Sequence, residues 1–476
     1  MSIRPLTPRA GSLTLTAILA LTLAAGCPRQ QRNDGKCDPA SPACPDGQVC
    51  EGAIDGSSRC VGPVVIRGRV ININDESPVE GAIVQAVDIN GAAVGTTGVS
   101  AADGSYEITV PALRDENGNP LEGIYTLRVQ AAKYIEFPTA IRPALPLDAA
   151  TATAEGGGWV IENSLTTVAL IPLPGDTSSL GSIAGRVNAD PHAGVLVLAE
   201  GSGEVLTGFS DSDGDYVIFN VPPGSYTVQG YFAGLQLNGT NTTVAAGESK
   251  TGVDLSQADK PLSSVSGNVQ IVNAPGGSVT SVILAVESTF VEAAGRGAVP
   301  PGLRASNVTG AFTIAGVPDG RYVVLAAFEN DNLVRDPDLA ISGTDVVHIT
   351  VPDSVLGNMI TFSEGFKVTE ALNIVRPGAD QPEQVSTPTP TFEWEDDSSE
   401  DGYILRVFDS FGNEVGSVEL PNVTGSATVT HTYAGPALEA GMFYQFRVTS
   451  FRDTNDGRSA ISQSEDLKGV FYYLAP

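Results

Sequence analysis

The chain has 476 residues and a formal net charge of −29, with 53 glycines and 32 prolines against 17% charged and 42% apolar residues. These proportions predict several domains built from short strands separated by turns, an all-β chain rather than a helical one. The acidic excess excludes nucleic acid as a partner and repels anionic headgroups, while leaving divalent cations and basic partners compatible.

At the N-terminus, Arg4 and Arg9 precede an apolar run from Leu13 to Ala25. The run is too short to span a bilayer and has the length of a signal h-region. It closes on Leu23-Ala24-Ala25-Gly26-Cys27, which reads as a bacterial lipobox. Residues 1–26 are therefore expected to be a lipoprotein signal peptide, with cleavage before Cys27, lipidation of the Cys27 thiol and a polar tether over 27–36. An ordinary secretory peptide ending beside a cysteine is the competing reading. Loss of Arg4 and Arg9 takes the formal charge from −29 to −31. The expected location is extracytoplasmic, lipid-anchored to a bacterial membrane at the outer membrane or cell surface, with that membrane as a partner through the N-terminal lipid.

Cys37, Cys44, Cys50 and Cys60 follow within 24 residues, among Asp, Gly, Pro and Ser. An even count in an exported chain predicts two disulfides over 37–62, replacing a core that so short a segment cannot build. Three pairings are open. Zinc is the rival reading, but the C-x2-C spacing that lets two thiolates share one ion is missing. The Cys44-Pro45-Asp46-Gly47-Gln48-Val49-Cys50 stretch resembles short cysteine-rich modules at the N-termini of myxobacterial-type lipoproteins.

Three later stretches repeat one pattern. Each opens on a strand with Gly-x-Val, at Gly68-Arg69-Val70, Gly185-Arg186-Val187 and Gly267-Asn268-Val269. A turn and an aromatic follow, at Asp103-Gly104-Ser105-Tyr106, Asp213-Gly214-Asp215-Tyr216 and Thr309-Gly310-Ala311-Phe312, and then Gly-x-Tyr ending at Tyr125, Tyr226 and Tyr322. The two aromatics lie ten apart in the second and third copies, which predicts a tight hairpin with the rings packed across it. A polar insertion around Asp115 to Pro120 widens the first copy, at small entropic cost. With Pro78-Val79-Glu80-Gly81-Ala82, the pattern resembles the carboxypeptidase regulatory-like domain. That resemblance implies transthyretin-like (prealbumin-like) sandwiches over 63–175 and 176–258 and a divergent one over 259–375.

After Val375 a proline-rich stretch, Arg376 to Pro390, reads as a stiff linker. Phe392-Glu393-Trp394 then predicts a strand with a core tryptophan, and Asp409 to Asn413 a hairpin turn. Leu438, six residues before Tyr444, together with Trp394, resembles the Ig-like fibronectin type III domain, over 376–476, in which the tyrosine hydroxyl bonds back to the backbone.

No nucleophile–base pair, phosphate loop or paired carboxylates can be assembled from spacing. His192, His348 and His431 are the only histidines, fall in three different modules and lack metal-binding spacing. No catalytic residue and no cofactor is expected. One turn, Asp211-Ser212-Asp213-Gly214-Asp215, has alternate carboxylates that could face a hard cation such as Ca2+, against the plainer reading as a turn. A lysine–asparagine crosslink is disfavoured because lysine is scarce near the opening strands. The expected function is a non-enzymatic envelope lipoprotein for display, adhesion or scaffolding. Polysaccharide binding, or service as an accessory subunit to an envelope peptidase or transport system, are the alternatives.

Overall fold

The computed structural model describes residues 36–38 and 43–475, apart from 89–90, 140–141, 202, 273–279, 292–296, 329–346, 363–365, 370, 398–399, 424, 426, 455–456 and 466–467. The lipobox and Cys27 lie outside the described residues. Within them the chain is all-β, with three single-turn 3-10 segments and no helix long and apolar enough to cross a membrane.

Four two-sheet sandwiches follow a two-stranded cysteine-rich segment. In the first, the opening strand Val64–Asn72 pairs antiparallel with Ser105–Val110 on one side. On its other side two short segments run parallel to it in succession, Gly158–Ile161 and then Thr167–Leu170. The second sandwich repeats this around Gly181–Asn188, with Asp215–Val221, Ser249–Lys250 and Leu255–Gln257. So does the third around Ser263–Val272, with Ala311–Val317, Met359–Thr361 and Phe366–Thr369. The opposing sheets also share one order: Ala93–Val99, Ile83–Val87, Ile124–Gln130, Leu147–Asp148 in the first, and Glu204–Phe209, Leu196–Gly201, Gly224–Tyr231, Thr240–Val244 in the second.

The repeated residues explain the repeated topology. Where the parallel partner breaks in two, its carbonyl turns in over the glycine of Gly-x-Val. A Cβ on Gly68 would lie 1.8 Å from the Thr166 oxygen, and one on Gly185 2.0 Å from that of Val253. Only glycine leaves that space. The inturned carbonyl, removed from the ladder, accepts a hydrogen bond from the first tyrosine of the motif: Tyr106 Oη donates to Thr166 O at 2.7 Å, and Tyr216 Oη donates to Val253 O. In the third copy Phe312 has no hydroxyl, and the rings of Phe312 and Phe362 cover Gly267 instead.

The second tyrosine corrects the hairpin expected from the ten-residue spacing. Asp215–Val221 and Gly224–Tyr231 belong to opposite sheets, so the turn between them is an arch across the sandwich. Its tyrosine therefore does not pair with the first across a ladder. Tyr226 Oη donates to Pro222 O at 2.8 Å and Tyr322 Oη to Pro318 O at 2.9 Å, each closing its own arch. Tyr125 makes the same bond to Pro111 O across the longer insertion. A ten-residue spacing fixes how short the connection is, not which sheet the next strand joins.

In the fourth sandwich, Trp394 is fully buried and meets Tyr403 edge-on at 5.5 Å between ring centroids. Tyr444 Oη accepts from the Glu439 N–H at 2.8 Å, beside buried Leu438. Asp409 to Asn413 joins Gly402–Asp409 to Glu414–Pro421 as a hairpin. The stretch read as a linker is part of this body: Ile374–Arg376 pairs with Thr391–Glu395, and Glu383–Val385 runs parallel to Val470–Tyr473. Leu372 and Ile374, placed in the third module on sequence, are buried in the fourth core. Prolines and polar side chains removed the alternation that marks a strand, while the backbone groups between them still pair.

The sandwiches are packed on one another. Asn220, in the second, donates from Nδ2 to the carbonyls of Ala131 and Tyr134 and accepts the Lys133 N–H at 2.6 Å. Leu196, Leu198, Phe209 and Tyr231 share one apolar cluster with Val282, Leu284 and Tyr322 of the third. Phe408 of the fourth is buried in the core of the first.

Candidate functional site

The cysteines pair as Cys37–Cys50 and Cys44–Cys60, with Cα–Cα distances of 5.8 and 5.4 Å. The two bridges lie side by side, which brings the sulfurs of Cys37, Cys44 and Cys60 within 4.8 Å of one another. Oxidised sulfurs are not thiolates, so this cluster is not a zinc site.

A fully buried arginine holds the segment to the first sandwich. Arg114 Nε donates to Glu51 Oε2, and its terminal nitrogens donate to the carbonyls of Gly62 and Gly118. Burial pushes the Glu51 carboxyl above the ordinary glutamate range, against the lowering pull of Arg114. Arg59 donates to Glu116 O in the inserted loop. At the tip of the segment, hydrogen bonds from Ser57 pull Asp55 down to about 2. The insertion that lengthens the first copy is thus the seat of the disulfide segment.

Asp211, Asp213 and Asp215 do not converge. Asp211 Oδ1 accepts the N–H groups of Asp213 and Asp215, both at 2.9 Å, and Asp215 points to Arg186 at 3.4 Å. The same i+2, i+4 pattern recurs at Asp115 and Asp409, where the side chain likewise closes its own turn. Among the described residues these three carboxylates form no group within metal-ligand reach.

The histidines are apart. His192 Nε2 lies 3.1 Å from Ser212 O, and His348 Nδ1 lies 2.7 Å from Glu287 Oε1. Burial lowers the pKa of His431.

A polar cleft of about 680 Å³ opens on the second sandwich, between its edge strand Thr240–Val244 and the segment from Lys250 to Val253. Its mark in the sequence is the polar run Thr240-Asn241-Thr242-Thr243. A polar residue at the inward positions of an edge strand leaves hydroxyls where an apolar strand would present methyl groups.

No protein-family model and no curated protein matches this chain. Among solved structures, the Bacillus anthracis TIE protein is 12% identical, with 86% of this chain and 73% of that one covered at a TM-score of 0.16. BcpA, the major pilin subunit of Bacillus cereus, is 12% identical over 64% of this chain and 99% of its own, at 0.17. The shaft pilin SpaA of Lactobacillus rhamnosus GG is 12% identical over 42% and 98%, also at 0.17. Overlap at that level says nothing about what this chain does, and its fold is read from its own sheets.

Proposed function

We propose that this is an exported, lipid-anchored structural protein that presents packed β-sandwiches at a bacterial envelope for adhesion or scaffolding and carries out no reaction. One observation carries the reading: the residues the chain repeats are used internally. The glycines make room for inturned carbonyls, and the tyrosine hydroxyls are bonded to Thr166, Val253, Pro111, Pro222 and Pro318. A repeated motif engaged in this way specifies a frame, not a reaction centre.

Two disulfides support export, since such bonds persist in oxidising compartments. The lipobox supports a membrane tether at Cys27. Three modules read as carboxypeptidase regulatory-like sandwiches over about 63–175, 176–258 and 259–371, and a fourth as fibronectin type III-like after that, supported by the Tyr444 bond beside Leu438. Labelled-palmitate incorporation and fractionation test the proposal. The native chain is expected to take up label and sediment with membranes, and Cys27→Ala to do neither. A native chain that is soluble, unlabelled and rich in free thiols would overturn it.

A further inference from the structure

The cleft on the second sandwich is not required by the fold, and the chain itself provides the comparison. Thr240–Val244 pairs with Gly224–Tyr231 in the register that Val347–Val351 keeps with Gly320–Phe328 in the third. Thr242 stands opposite Tyr226 where Ile349 stands opposite Tyr322, and in the first sandwich the matching strand is only Leu147–Asp148. One frame is built three times, and one copy alone carries a threonine-rich edge. A structural need would recur.

The hydroxyls of Ser225, Thr242, Thr243 and Thr251 border the cleft and have no hydrogen-bond partner among the described residues. Its charges, by contrast, are engaged. Lys250 Nζ lies 3.5 Å from Glu248, and the Glu200 carboxylate accepts the Ser288 hydroxyl. Unengaged hydroxyls both donate and accept, so they match a ligand whose groups do the same. With Lys250 paired and the Glu200 carboxylate still carrying its charge, nothing among the described lining residues rewards an anion. A volume of about 680 Å³ falls within the range of small-ligand clefts. We infer that this cleft binds a neutral, hydroxyl-rich chain, a short stretch of uncharged polysaccharide. Among the described residues the one aromatic at its border, Tyr226, is buried with its hydroxyl bonded to Pro222, so they offer no stacking platform and binding is weak, about millimolar.

Saturation-transfer NMR on the full chain tests this with maltohexaose, cellohexaose, laminarihexaose and a hexagalacturonate. Saturable binding of at least one neutral hexasaccharide is expected, weakened roughly tenfold or more by Thr242→Ile. That substitution gives the second copy the residue of the third. Ser225→Ala, at an exposed position, provides the same test should Thr242→Ile unfold. The inference is overturned if no neutral probe saturates by about 10 mM, if binding survives both substitutions unchanged, or if the uronate binds tighter than every neutral probe. It goes beyond the display reading and is independent of it, since titration reports the cleft and fractionation reports the anchor.

Discussion

Arg114 and Glu51 form a buried ion pair that joins the disulfide segment to the first sandwich, and every outward nitrogen of the guanidinium has an acceptor. Removing one partner of such a pair leaves the other charged and desolvated. Arg114→Ala is therefore expected to cost about 3–5 kcal/mol, read from chemical denaturation, whereas the double change Arg114→Met with Glu51→Gln costs much less. Equal losses in the two variants would show that the pair is not coupled.

The same pair sets a pH dependence. Burial raises the folded-state pKa of Glu51, so from the ordinary value of 4.5 upward the native chain holds a proton that the unfolded chain has released. The unfolded state binds fewer protons in that window, and stability contributed by this group falls as pH rises through it. Glu51→Gln is expected to flatten the slope of stability against pH just above 4.5. An unchanged slope would place the titration elsewhere.

Tyr106→Phe and Tyr216→Phe each leave an inturned carbonyl without its donor, at a cost of about 1–3 kcal/mol. Gly185→Ala is expected to be worse, because its Cβ would meet the Val253 oxygen at 2.0 Å. Thermal unfolding of the three variants gives the order directly. A Gly185→Ala protein as stable as the parent would show that the parallel segment can move aside.

Much of the frame was legible because tight local geometry leaves marks in sequence. Gly-x-Val, Asp-Gly and Gly-x-Tyr located the strands, and Trp394, Leu438 and Tyr444 located the last core. What was not legible concerns faces and partners. An arch and a hairpin need the same short connection, so Tyr216 and Tyr226 were placed on one ladder instead of two sheets. Whether the modules touch was not read from the sequence either, although a mark of it was present in the chain: Val195 to Ala199 and Val282 to Val286 are unbroken apolar runs, the pattern of strands buried on both faces. Leu196 and Leu198 turn one face to the third sandwich while Val197 and Ala199 fill their own core. For the cleft, threonines on an edge strand read as ordinary surface until the register with Ile349 is known.

Asp211 was the best candidate for a cation, and its carboxylate closes a turn instead. Adding millimolar Ca2+ is expected to leave the melting temperature unchanged, and Asp211→Ala to cost about 0.5–2 kcal/mol with or without the ion, as for loss of a comparable local cap. A calcium-dependent rise in the parent that Asp211→Ala removes would restore the metal reading.

The fourth sandwich returns to the first through Arg142. Its guanidinium is buried between the bodies, donating to Ala169 O in one at 3.0 Å and to Phe411 O in the other at 2.7 Å. Opposite it, Gly412 has φ +77°, and a Cβ there would lie 2.6 Å from Pro143 O, so the turn fits only as glycine. The Phe443 N–H donates to Ser164 Oγ at 3.1 Å across the same contact. Arg142→Ala orphans two carbonyls, about 1–3 kcal/mol each if they stay buried. The cheaper outcome is for the bodies to part and let water reach both. Small-angle scattering is therefore expected to show a larger radius of gyration for Arg142→Ala, and a disulfide engineered between positions 164 and 443 to form in the parent and not in the variant. A parent that already scatters as an extended array would mean that the contact does not close in solution.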